Sequence, residues 1–189
     1  ENFMNESYWM LSSKGLDFES LKEDLEVDTL IIGGGIVGLT TAYLLAKKGI
    51  ETAIVETNKI GCGSSGRNTG KITSQHGIIY SKIRDKYGLD SAKLYYEGNE
   101  KAIDLIEEII KDNKIECSFE RLSSYIYADN ENYIEELKEE FSTCDNLGIK
   151  CKYHDTLDIP FEVKGAIEFF NQAQFNPKKY LDGLTKVCL

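Results

Sequence analysis

Three glycines, Gly33, Gly35 and Gly38, stand in the order G-x-G-x-x-G within the stretch LIIGGGIVGL. A carboxylate, Glu56, follows at about the 20-residue distance at which a dinucleotide site places its ribose-binding acid. Each residue type has a chemical reason. Gly33 permits a tight turn, Gly35 lacks a Cβ so that a pyrophosphate can approach the backbone, and Gly38 lets a helix pack close to a strand. With Ile36 and Val37 the turn would open a helix, whose first amides and partial positive charge favour phosphate. Glu56, followed by Thr57, would accept hydrogen bonds from both ribose hydroxyls. It would also repel a 2′-phosphate, which disfavours NADP. The plainer reading of the same residues is a glycine-rich turn beside an exposed Glu. Strand, spacing and acid together favour the nucleotide.

The fingerprint does not separate FAD from NAD. The next segment bears on that choice: Gly61-Cys62-Gly63-Ser64-Ser65-Gly66-Arg67-Asn68-Thr69-Gly70-Lys71. A second loop of small and hydroxyl residues just after the acid can return under the same nucleotide. Its backbone donors and its Ser and Thr hydroxyls could reach a pyrophosphate and a flavin ring. An NAD domain more often passes straight into another helix. The alternative for this loop is a solvated linker.

These residues need elements to hold them. Residues 27–32 form a short, β-branched apolar run, which predicts a buried parallel strand. Ile36, Leu39, Thr40, Tyr43, Leu44 and Ala46 recur at helical spacing, with Gly49 as a stop. Residues 52–56 read as the next strand, completing a βαβ unit. Further on, helices are predicted from 78 to 86, from an Asp90 cap to about 111, and from 132 to 147. On the second, Leu94, Gly98, Ala102, Leu105 and Ile109 form the expected apolar stripe. On the third, Tyr133, Leu137, Phe141 and Cys144 are expected to face inward. The acidic run Glu135, Glu136, Glu139, Glu140 reads as a solvated face. Strands are predicted at 119–128 and 166–172. Asn176 then caps a helix with Pro177 at its first position and no stop signal before Leu189.

The chain has 189 residues, a net charge of −10, 41% hydrophobic residues and five cysteines. Such acidity argues against nucleic acid or an anionic membrane surface as partner. No segment is long and apolar enough to span a bilayer, and no secretory pattern precedes the cysteines, so reduced thiols in a cytoplasmic protein are expected. Cys151 and His154 have a metal-like spacing, yet two ligands fall short of the four of a closed structural site; no metal is expected.

The segments GGGIVGL, IVE and GCGSSGRNTGK resemble the D-amino-acid oxidase-like family of FAD-dependent oxidoreductases, which includes glycine and sarcosine oxidases. GAIEFFNQAQFNPKKYLDGL is similar to the family's strand-then-Pro-helix element, so the resemblance covers roughly residues 26–186. SYWM, GKITSQHGIIY and NQAQFNPKKYL are similar to a bacterial subgroup with a C-terminal Rieske iron–sulfur domain. The paired CxH and CxxH motifs of a Rieske centre are absent here.

The resemblance implies an α/β fold: a Rossmann-like FAD-binding βαβ domain with the start of a mixed-sheet substrate domain. Residues 1–25, polar with scattered aromatics (Tyr8, Trp9, Phe18), read as an N-terminal arm packed on the main body, and the resemblance implies the first part of the FAD domain over 26–114, a partial substrate domain over 115–175, and a return helix over 176–189. It places Gly33, Gly35, Ile36, Val37 and Gly38 at the phosphates, and Glu56 with Thr57 at the adenosine ribose. Ser64, Ser65, Arg67, Asn68, Thr69 and Lys71 run along the pyrophosphate toward the flavin. The implied reaction oxidises a C–H next to the nitrogen of an amine or amino acid, giving an imine that water hydrolyses. Family members are about twice this length or more. The chain is therefore expected to be part of a longer protein, with exposed core that could self-associate. Lys71 and His76 are candidates near the flavin ring. Arg121, Tyr125 and Tyr127 are candidates for the substrate side, with ordinary structural roles favoured for His76 and these three. Cys62 gives no indication of covalent flavin attachment, and no catalytic residue is assigned. Two other readings stay open: an NAD-binding dehydrogenase or regulatory domain, and a noncatalytic fragment without tightly bound cofactor.

Overall fold

A computed structural model describes residues 7–189; the first six residues of the expected arm lie outside the described residues. In chain order the elements are α1 (Tyr8–Leu11), β1 (Thr29–Ile32), α2 (Ile36–Ala46), β2 (Thr52–Val55), β3 (Lys71–Ile72), α3 (Tyr80–Tyr87), α4 (Leu89–Asn113), β4 (Glu120–Ala128), α5 (Ile134–Asn146), β5 (Cys151–His154), β6 (Gly165–Gln174) and α6 (Pro177–Val187). The chain divides into two compact units. The first comprises the described part of Glu1–Lys71 with Glu108–Phe119 and Phe175–Leu189, and the second comprises Ile72–Glu107 and Glu120–Gln174.

The first unit contains the predicted βαβ unit. β1 and β2 pair in parallel, with Thr29 opposite Thr52 and Ile32 opposite Val55. α2 buries Leu39, Ala42 and Tyr43, and α6 packs on it with Tyr180, Leu181 and Leu184 fully or nearly fully buried. Gly183 is required there. A Cβ on it would lie 2.4 Å from the Ile115 side chain. Asn176 caps α6 as predicted, accepting from Lys179 N at 3.1 Å with Pro177 in the first turn. On the same helix Lys178 pairs with Asp182, whose other carboxylate oxygen accepts from Ser13 at 2.6 Å. Two bonds thus compensate the burial of that charge. α6 runs to Val187, and the Cys188 amide donates to Leu184 O in the last helical bond.

β1 departs from prediction in burial. Leu30 is 55% and Ile32 83% exposed. Hydrophobic runs predict burial on both faces only when a strand sits inside a covered sheet, and β1 has a single strand neighbour among the described residues.

The second unit is an antiparallel sheet with β6 at its centre, paired to β4 and to β5, and also to the short β3. Its core joins Ile167 and Phe169 of β6 to Leu137 and Cys144 of α5 and to Tyr80 of α3. β5 was not predicted; its alternation is short and mixed in polarity. Glu140, assigned from sequence to a solvated face, is fully buried. Its carboxylate accepts from the amides of Ile79, Tyr80 and Ser81 at 2.8–2.9 Å and from the Ser81 hydroxyl at 2.6 Å. An anion there satisfies amides that the first turn of α3 leaves without intrahelical partners. Tyr133 lies before α5 in a 3₁₀ turn and is exposed rather than inward-facing.

α4 also corrects the sequence reading. Its start precedes Asp90, which sits in the first turn instead of capping. Of the predicted stripe, Ile109 is buried but Leu94 is 70% exposed. The buried positions are Ala92, Ile103, Ile109 and Ile110. A helix with apolar residues on adjacent faces offers two stripes at the same 3.6-residue period, and packing partners select between them.

Candidate functional site

The turn between β1 and α2 is set by sterics. Gly33 has φ +108°, a conformation that favours glycine. A Cβ on Gly38 would stand 2.0 Å from Gly33 O, so only glycine lets the first turn of α2 approach the strand end. Gly35 caps α2 in extended conformation, and a Cβ there would come within 3.0 Å of Ser65 Oγ. Gly33 N donates to Val55 O at 2.8 Å, locking the turn to the end of β2.

Glu56 follows β2 directly. Its Oε2 accepts from Gly34 N at 2.8 Å and its Oε1 from Asn58 N at 3.0 Å. The Asn58 and Gly34 amides hold its carboxyl below the usual range, outweighing a small burial effect in the opposite direction. The side chain is therefore ionised at neutral pH, and each oxygen keeps lone-pair capacity for a hydroxyl donor. A cavity of about 560 Å³ opens beside Glu56 and Thr57, bounded also by Leu16, Phe18, Leu39 and Val55.

The loop 61–71 comes back to the same turn. Gly61 N donates to Gly34 O at 3.0 Å, and Ser65 Oγ accepts from Ile36 N, at the start of α2, at 3.1 Å. Ser64–Gly66 form a 3₁₀ turn opened by Gly63 in extended conformation, and Gly61 has φ +69°. A Cβ on Gly66 would stand 2.0 Å from Gly61 O, the relation Gly38 has to Gly33. Gly61, Gly63 and Gly66 therefore repeat the G-x-G-x-x-G spacing and its geometry. That repeat was present in the sequence and is the signal that would have revealed the loop's shape. Past Arg67, Asn68 Nδ2 donates to Ser65 O at 2.9 Å and Asn68 Oδ1 accepts from Gly70 N at 2.7 Å. Gly70 O accepts from Phe175 N at 3.0 Å, fastening the loop to the approach to α6.

Of the candidate residues, Gly33, Gly35, Ile36 and Gly38 thus meet Glu56 and Ser65 around one turn. Val37 lies on α2 with an exposed side chain, Ser64 in the 3₁₀ turn, and Thr69 further along the loop. Lys71 opens β3. The residues present fit a dinucleotide: helix amides and two close glycine turns for a pyrophosphate, and an ionised carboxylate for a ribose.

The more distant candidates have structural partners. His76 Nδ1 is 2.9 Å from Tyr95 OH. Arg121 is paired with Glu107 at 2.6 Å and Asp104 at 2.7 Å, and donates to Asn171 O. His154 is 2.7 Å from Glu168. Tyr125 and Tyr127 lie on β4, half exposed. Cys151 and His154 are three residues apart on β5, where such positions point to opposite faces and cannot share an ion. Among the described residues no group of His, Cys, Asp and Glu could hold a metal, and no helix is long and apolar enough to cross a membrane.

Residues 28–189 match the family described as FAD dependent oxidoreductase. The chain is 40% identical over 179 residues to YhfW of Bacillus subtilis (strain 168), which bears the name of a Rieske 2Fe-2S iron-sulfur protein; the match covers 95% of this chain and 35% of that protein. It is 32% identical over 149 residues to gamma-glutamylputrescine oxidoreductase of Escherichia coli (strain K12), covering 76% of this chain and 34% of that one. Among solved structures, L-amino acid deaminase from Proteus myxofaciens superposes with a TM-score of 0.69 at 19% identity, over 93% of this chain and 39% of that one. The chain belongs to the FAD-dependent oxidoreductase family, whose cofactor is FAD, and its fold is the α/β fold of that family. It spans about a third of the length of the two curated relatives.

Proposed function

We propose that this chain is the FAD-binding N-terminal portion of a longer oxidoreductase that acts on an amine or amino acid. The first unit would hold the adenosine and pyrophosphate of FAD. Gly33, Gly35, Ile36, Val37 and Gly38 would present backbone to the phosphates. Glu56, with Thr57 beside it, would accept from the ribose hydroxyls. Ser64, Ser65, Arg67, Asn68, Thr69 and Lys71 would carry the loop along the pyrophosphate toward the flavin. The observation that carries this reading is the Glu56 carboxylate, which accepts from the Gly34 amide at 2.8 Å within the turn that Gly38 closes onto Gly33.

When bound, FAD supplies hydride acceptance, and the protein's part is to bind, orient and tune it. Ser65, accepting from Ile36 N, keeps its own proton to donate to a phosphate oxygen. An amine substrate is supported by the relative named for gamma-glutamylputrescine, a compound with a nitrogen beside an oxidisable C–H. A Rieske domain beyond the matched segment is supported by the 40% identity to YhfW. Such a centre would take electrons one at a time to a further acceptor. The parts read from sequence as an arm, a cofactor domain interrupted by a substrate sheet, and a return helix are proposed for the same reason.

The test is the absorption spectrum of the purified chain before and after FAD addition and desalting. Retained visible flavin bands support the reading. A colourless chain whose single tryptophan is quenched by NADH would support NAD instead. A colourless chain that responds to neither would mean that residues 1–189 do not bind cofactor by themselves.

A further inference from the structure

The family match begins at residue 28, yet Ser7, Trp9 and Met10, ahead of it, touch the loop that follows Gly61. α1 is one short turn, capped by Ser7, whose Oγ accepts from Met10 N at 3.3 Å. The turn is tied to α6: Ser12 Oγ donates to Trp9 O at 2.7 Å and accepts from Asn176 Nδ2 at 2.8 Å. Ser13 adds its bond to Asp182.

From this anchored turn three side chains reach the loop. Trp9 Nε1 donates to Asn68 O at 2.7 Å, and Ser7 Oγ donates to Gly66 O at 3.3 Å. Met10 Sδ lies 3.0 Å from where a Cβ on Gly66 would stand, and the Trp9 ring is as close to the same position on Gly70. Glycine at 66 and 70 therefore makes room for α1 as well as for the backbone. Asn68, held at its carbonyl by Trp9, donates to Ser65 O, and Ser65 accepts from Ile36 N. One chain of contacts runs from the arm to the N-terminus of α2.

We infer that Trp9 is a positioning residue for the candidate pyrophosphate loop, holding Asn68 and through it Ser65 against the start of α2. A glycine-rich loop has much conformational freedom to lose, and outside contacts remove that freedom before a ligand arrives. Trp9 has this role in the loop whatever the ligand, and its relevance to FAD rests on the proposed function above.

The test uses the chain itself with Trp9→Phe, which keeps an aromatic ring over Gly70 but removes the donor to Asn68. Ser13→Ala is the control, because it loosens the arm at α6 without touching the loop. Hydrogen exchange without ligand is read at the amides of Gly66, Arg67 and Gly70, whose acceptors all lie within the loop: Gly63 O, Ser64 O and Asn68 Oδ1. Trp9→Phe is expected to speed exchange at these amides, and Ser13→Ala to leave them within about twofold. Losing one such hydrogen bond is expected to weaken FAD binding by about three- to tenfold, read by flavin fluorescence. Unchanged loop exchange in Trp9→Phe, or equal acceleration by Ser13→Ala, overturns the inference. If Trp9→Phe does not fold, exchange of the Trp9 indole N–H in the wild-type chain decides: protection supports its bond to Asn68 O, and exchange at the rate of a free indole overturns the inference. A wild-type chain that takes up no FAD would mean that residues 1–189 do not bind cofactor by themselves, while exchange would still decide the role of Trp9.

Discussion

Alanine at Gly38, Gly66 and Gly63 separates steric necessity from mere glycine content. At Gly38 the new Cβ would stand 2.0 Å from Gly33 O, and at Gly66 2.0 Å from Gly61 O. Real contacts of this kind stay above 3.0 Å, so backbone must part by at least 1.0 Å in each case. At Gly38 the parting separates α2 from the end of β1, and neither partner is a flexible side-chain tip. Overpacking of well-packed backbone costs about 1–3 kcal/mol, and these rigid collisions belong at about 3. For a unit of this size that lowers the melting temperature by about 10 °C or more. At Gly63 nothing lies within 4 Å of the added Cβ, and the residue is already extended. Alanine there should be neutral, or stabilising by about 0.4–1 kcal/mol through the unfolded chain. The assay is urea unfolding followed by Trp9, the single tryptophan, which sits on the loop. Gly38→Ala or Gly66→Ala proving as stable as Gly63→Ala would refute the reasoning.

Further outcomes are expected. Glu56→Gln should weaken FAD binding about tenfold, since a charged acceptor is lost; an unchanged dissociation constant would place the ribose elsewhere. The pH dependence has a definite sign. The folded pKa of Glu56 lies below the ordinary carboxyl value of 4.5, so its stabilisation is present above that value and fades as pH falls through the lower folded one. Acid titration of stability should therefore flatten in Glu56→Gln relative to wild type. Glu140→Ala leaves three amides and a hydroxyl without their acceptor, costing at least about 3 kcal/mol. Calorimetry that finds a loss under about 1 kcal/mol would mean that water replaces the carboxylate.

Sequence alone determined the parts whose physics is local. Glycine spacing set the β1–α2 turn, because only residues without a Cβ tolerate its sterics. The cap of α6 was legible because Asn176 and Pro177 act within one turn of the backbone. The loop 61–71 was legible in composition, but its repeated glycine geometry went unread. Tertiary structure decided which of two equivalent stripes α4 buries, since helical periodicity has no preference between adjacent faces. It also decided that Glu140 leaves solvent for the amides of α3, and that Trp9 reaches Asn68. Those pairings join residues about 60 positions apart, and they form only where the folded chain returns upon itself; no local propensity encodes that return.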